Sequence, residues 1–159
     1  MTRKPKRDLA LHLAADTAPL TFRQKVCRAG EQAAADYLQS RGYKLLHRNW
    51  RSGRFTEVDL IALDPMGVIT LVEVKTRQYR RTSKGLQIEG YENGFEAVDW
   101  RKRRKMLIAA RSYLARFAQT DAGCSLDVIV VLYESLQDNS EATLQGVEVL
   151  HVPQAFNQV

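Results

Sequence analysis

Two runs, Glu57-Val58-Asp59-Leu60-Ile61-Ala62-Leu63 and Val68-Ile69-Thr70-Leu71-Val72-Glu73-Val74-Lys75, flank the turn sequence Asp64-Pro65-Met66-Gly67, and their reading decides the fold of this chain. Both are rich in residues that suit a pleated strand, and the Pro/Gly punctuation between them predicts a β-hairpin. With Pro65-Met66-Gly67 as the loop, Asp59 falls opposite Glu73 and Glu57 opposite Lys75. Strand side chains alternate between faces, so this register predicts all four on one face. Two directly opposed carboxylates repel each other and cost stability. A divalent cation resolves the conflict. Mg²⁺, or Mn²⁺ in its place, is a hard ion that takes one or two carboxylates and otherwise oxygen from water or phosphate, and the Lys75 ammonium stands near enough to orient an attacking water. The hairpin alone equally admits an amphipathic strand pair whose solvated face carries Glu and Lys.

The rest of the chain supplies context. At 159 residues and 45% hydrophobic content it suits one globular domain with one core. Residues 1–20, with Arg3-Lys4-Pro5-Lys6-Arg7, read as a basic, poorly ordered arm or a short isolated helix, and residues 21–159 as the folded domain. A net charge of +6 favours a polyanionic partner. Cys27 and Cys124 stand far apart without a CxxC or Cys/His cluster, so neither a disulfide framework nor a structural zinc site is suggested, which suits a reducing, cytoplasmic setting. No run reaches the length of a membrane span, and no glycine-rich phosphate loop of the nucleotide-binding type is present.

Helical spacing of Val26, Ala29/Gly30, Ala33, Ala34, Tyr37 and Leu38 predicts a first helix over residues 23–41, stopped at Gly42. Glu31 falls on or beside its apolar stripe and, on the helix alone, reads as a border glutamate paired with a nearby arginine. Residues 43–51 read as a strand carrying His47, Arg48 and Arg51, with His47 as a packing or surface residue and not a catalytic base. Residues 76–94 show no clean period and read as an exposed loop. A second helix spans 97–118 with Val98, Met106/Leu107, Ala110, Tyr113/Leu114 and Phe117 as its stripe. Arg101, Lys102, Arg103, Arg104 and Lys105 at its start fit phosphate contact or, pointing in several directions around a helix, a solvated face. The apolar run 126–133 suits a central strand buried on both faces, and 147–152 a last strand. The order is α-β-β-β-α-β.

Gly30-Glu31, Arg48-Asn49-Trp50-Arg51, Glu57-Val58-Asp59-Leu60-Ile61-Ala62, Val72-Glu73-Val74-Lys75-Thr76-Arg77, Lys102 with Arg104, and Asp127-Val128 occur in an order that resembles the bacterial YraN-type family. That family is similar to Holliday-junction resolvases of the PD-(D/E)xK nuclease superfamily. The resemblance implies an α/β, restriction-endonuclease-like core with a mixed central sheet. It maps Asp59 to the first acid, Glu73 and Lys75 to the (D/E)xK part, and Glu31 to the acid on helix one. It further implies Mg²⁺ or Mn²⁺ held by Asp59, Glu73 and the Val74 carbonyl, with Glu31 completing the shell through water or holding a second ion. Lys75 would position the attacking water, and Arg48, Arg51, Arg77 and residues 101–105 would contact phosphate. Val58 stands where the motif has proline, Thr56 where glycine is usual, and the loop after Arg77 is long. The function this implies is a metal-dependent endonuclease for structured DNA, branched DNA included, for which a homodimer suits paired cuts. A non-catalytic nucleic-acid platform and an RNA-processing subunit are the alternatives.

Overall fold

The computed structural model describes residues 19–54, 56–89, 100–117, 123–138 and 140–156. The N-terminal arm through residue 18, positions 90–99 with Val98, and the end of the second helix at Ala118 lie outside them. In chain order the elements are α1 (Phe22–Ser40), β1 (Lys44–Ser52), β2 (Thr56–Leu63), β3 (Ile69–Thr82), β4 (Gly85–Ile88), α2 (Trp100–Phe117), β5 (Cys124–Tyr133), β6 (Ser135–Leu136), β7 (Leu144–Gln145) and β8 (Glu148–Val152). The main sheet runs β1-β2-β3-β5-β8, with β4 paired to β3, and β6-β7 form a small separate ribbon. Among the described residues only β3 and β5 pair in parallel, so the sheet is mixed, with α2 lying in the crossover between them. This is the expected α/β class and α-β-β-β-α-β order, compatible with a nuclease-like core.

Local chemistry sets the ends of α1. Thr21 and Gln24 form a capping box, with the Thr21 N–H donating to Gln24 Oε1 at 2.8 Å and the Gln24 N–H to Thr21 Oγ1 at 3.3 Å. Gly42, at φ 84°, closes the helix in a Schellman turn: its N–H donates to the Gln39 carbonyl and that of Tyr43 to the Leu38 carbonyl, both at 3.0 Å. At the β2–β3 turn Asp64 Oδ1 accepts the N–H groups of Met66 and Val68. This fixes the predicted register, seen as Leu63 opposite Ile69 and Leu60 opposite Val72.

The helices cover opposite faces of the sheet. Ala34, Ala35 and Leu38 of α1 pack on Leu60, Ala62, Val72, Ile129 and Val131, while Met106, Ala109, Ala110 and Tyr113 of α2 pack on Ile61, Leu71, Val128 and Val130. β5 is buried along most of its length, as its apolar run predicts. Gly30 fits α1 tightly against β3, because a Cβ there would lie 1.8 Å from Thr76 Oγ1.

Two expectations fail. Residues 76–94 are not one exposed loop: β3 continues to Thr82, supported on one edge by β5 as far as Gln78 and then by β4. Local polarity hid a strand that its partners impose. The shared face for all four hairpin residues also fails, because the alternation of β2 breaks at Asp59. Val58 packs toward α2 and so does Ile61, whereas Leu60 and Ala62 pack toward α1. The irregularity is matched on β1, where Asn49 adopts φ 48° between Arg48, paired with Leu60, and Trp50, paired with Val58.

Candidate active site

The β2–β3 ladder ends at Leu60 and Val72. Beyond this point β2 stays with β1 and β3 stays with β5, so the two strands fork. Asp59 and Glu73 stand at the fork. A strand that leaves its partner leaves backbone donors unmatched, and Asp59 takes one of them: its Oδ2 accepts the Val74 N–H at 2.7 Å. Glu73 is 4% exposed and points toward α2. Its Oε1 receives two ammoniums, Lys102 Nζ at 2.8 Å and Lys75 Nζ at 3.0 Å. Its Oε2 is buried and has no hydrogen-bond partner.

The electrostatics follow from this crowding. Burial first, and the Glu73 charge second, push the Asp59 carboxyl up to about 7, against the Val74 N–H and Lys102, which pull it down. Glu31 adds a smaller upward push from the α1 side. Glu31 is itself raised by burial, with an Asn49 hydrogen bond, Arg28 and Arg48 acting in the opposite direction and Glu57 adding to the rise. It therefore borders the pair without joining it, and among the described residues no three acids, histidines or cysteines converge to hold an ion.

The structure therefore brings Asp59, Glu73, Val74, Lys75 and Lys102 together. Glu57 is not opposite Lys75: it is exposed, pairs with Arg51 at 3.3 Å, and lines with Glu31, Asn49 and Arg28 a cavity of about 340 Å³ beside α1. Arg48 donates to Gln32 at 2.8 Å on the same side. Arg77 donates to the Thr76 carbonyl and lines a recess with Phe22 and Cys27. Arg101, Arg103, Arg104 and Lys105 ride on the first turns of α2, on the other face of the sheet. His47 packs edge-on against Tyr113, with ring centres 5.5 Å apart, and has no acid partner among the described residues. Lys102, grouped by the sequence reading with phosphate-binding cations, is instead part of the acidic centre. Its position was legible: it precedes Met106, Ala109, Ala110 and Tyr113 by four, seven, eight and eleven residues, which is the buried stripe of α2.

The donor set fits Mg²⁺ or Mn²⁺. Both are satisfied by one or two carboxylates plus oxygen from other sources, and a buried carboxylate oxygen without a donor, beside a second carboxyl held near neutrality, is what a hard cation would relieve.

Residues 30–131 match the model described as "Uncharacterised protein family UPF0102", a span containing Glu31, Asp59, Glu73, Lys75 and Lys102. A UPF0102 protein of Trichlorobacter lovleyi is 41% identical over 135 residues, covering 84% of this chain and 91% of the relative. One from Chlorobaculum parvum is 41% identical over 127 residues, covering 80% and 88%. One from Symbiobacterium thermophilum is 43% identical over 110 residues, covering 68% and 82%. With the family model spanning more than half of the sequence and relatives aligned over most of both chains, the protein belongs to the UPF0102, or YraN-type, family.

Proposed function

We propose that this protein is a metal-dependent endonuclease that hydrolyses phosphodiester bonds in structured DNA. The observation that carries the reading is the buried, unpartnered Glu73 Oε2 at the strand fork, next to a carboxyl pushed up to about 7. Perturbed acids clustered with a lysine are the arrangement that hydrolytic sites use. Mg²⁺ or Mn²⁺, held by Asp59, Glu73 and the Val74 carbonyl, would supply neutralisation of the charge developing on the phosphate. Glu31 would act through water or at a second ion. The chain's own contribution is positional. Lys75, fixed on β3 two residues from Glu73, holds the attacking water and stabilises its hydroxide form. Arg103, Arg104 and the neighbouring α2 cations hold phosphates of the substrate without reading bases. The preference for DNA, branched substrates and a homodimeric arrangement rests on the resemblance to junction resolvases, which is an argument from fold.

One observation favours a second reading, a non-catalytic nucleic-acid platform: Lys75 and Lys102 already neutralise Glu73 without any ion. Cleavage assays with branched DNA, linear DNA and structured RNA, with Mg²⁺ or Mn²⁺ and with EDTA, separate the two. The nuclease reading expects EDTA-sensitive cleavage that Lys75→Ala lowers by about two orders of magnitude, the scale of one preorganised electrostatic group, while nucleic-acid affinity changes little. Equal rates for wild type and Lys75→Ala would reject the mechanism. No cleavage with any metal would leave the binding platform.

A further inference from the structure

Five consecutive cations open α2, and one of them is used differently from the rest. Lys102 reaches across to the sheet and forms an ion pair with Glu73 Oε1 at 2.8 Å, the same oxygen that Lys75 contacts at 3.0 Å. Two ammoniums on one carboxylate oxygen, with the other oxygen orphaned, is an uneven distribution of positive charge. It becomes a conflict when a divalent cation arrives. With Asp59 and Glu73 ionised, the two lysines balance the two acids; a dication added to that set leaves two uncompensated positive charges in a site largely removed from water.

One lysine must therefore yield, and the architecture selects which. Lys75 stands two residues from Glu73 on the same strand, paired on one side to β5 at Val130, so its backbone stays beside the acid, although its side chain is as exposed as that of Lys102. Lys102 is the third residue of a helix on the opposite wall and reaches the acid by its side chain alone, so an outward turn of its four-carbon arm clears Glu73 altogether. We infer that Lys102 is an internal counter-ion that competes with the divalent cation for Glu73, capping the acidic centre and holding down its metal affinity until the ion displaces it. The inference rests on the metal-dependent reading of the site and adds a device that regulates it.

Calorimetry with MnCl₂ at pH 8, without nucleic acid, tests this on wild type, Lys102→Met and Lys105→Met. Lys105 is exposed on the same helix, so it reports the general effect of removing one charge. Lys102→Met is expected to bind Mn²⁺ about tenfold tighter than wild type, and Lys105→Met to stay within about twofold, since exposed charges are screened. Equal or weaker binding by Lys102→Met, or equal gains in both variants, overturns the inference. Lys102→Gln, neutral and polar, serves if the methionine variant does not fold, and the same criterion applies. The outcomes separate from those of the nuclease reading. Tighter Mn²⁺ binding without cleavage by any variant keeps the counter-ion and removes the enzyme, whereas metal-dependent cleavage by wild type with unchanged Mn²⁺ affinity in Lys102→Met does the reverse. No Mn²⁺ binding by any of the proteins removes both.

Discussion

Asp59 concentrates the chemistry of this protein in one side chain, and its titration gives a stability test. The ordinary aspartate value in an unfolded chain is about 3.9, whereas burial and Glu73 push the folded carboxyl up to about 7. Between these values the folded protein keeps a proton that the unfolded chain has released, so its stability falls as pH rises from about 4 to about 7 and is flat above. The contribution is fully present below the lower value and lost through the upper one. Its ceiling is on the order of 4 kcal/mol, and Glu31, also raised, acts in the same direction. Thermal melting in EDTA is expected to show that Asp59→Asn gains on wild type between pH 5 and pH 8, with the two proteins closest at the acid end. A constant difference across that range would remove the pair from the stability balance. At this scale the sequence was partly legible. The turn gave the register that brings Asp59 and Glu73 to neighbouring positions, because Asp64 and Gly67 act within a few residues. The face of Glu57 was not, because the break in alternation depends on Asn49 of another strand and on the parting of β2 from β3.

Among the elements, α1 and β3 meet closely where Gly30, the residue before Glu31, faces Thr76. A methyl group at position 30 would lie 1.8 Å from Thr76 Oγ1 and 2.9 Å from Thr76 Cβ and Cγ2, so the helix must lift or the threonine must turn. Overpacking of this kind costs about 1–3 kcal/mol. Urea unfolding of Gly30→Ala is expected to show a loss of that size, and Thr76→Ala, which deletes the nearest atom, to restore part of it in the double variant. Strict additivity of the two changes would mean that the helix is not seated on this contact. The helical periods of α1 and α2 were readable because each buries a stripe against one sheet face. The outer half of β3 was not, since residues 76–82 are polar and become a strand through β5 and β4, both distant from the local pattern. Lys102 was hidden by company: inside a run of like charges the composition reads as a solvated face, although spacing from Met106 sets this lysine apart.

At the scale of the whole molecule, described cations stand on two walls, with Arg48 and Arg51 on the α1 side and the start of α2 on the other. If four to six phosphates are neutralised, the logarithm of the association constant for duplex DNA should fall against the logarithm of salt concentration with a slope of about −4 to −5. The Arg103→Glu, Arg104→Glu double variant is expected to weaken binding alike for all sequences and to flatten the slope by about two. A slope near zero in wild type would assign the charge to solubility. No helix among the described residues is long and apolar enough to cross a membrane. The parallel pairing of β3 with β5 also orders events while the chain is being made. The β2–β3 hairpin is complete in sequence at Thr82, but the other flank of β3 stays bare until residues 124–133 leave the ribosome. Through that interval a long strand presents an open edge to other nascent chains, and pairing across such a sequence gap is slow. The most hazardous moment for this protein therefore precedes its completion, when both acids have already been synthesised and the strand that closes the free flank of β3 has not.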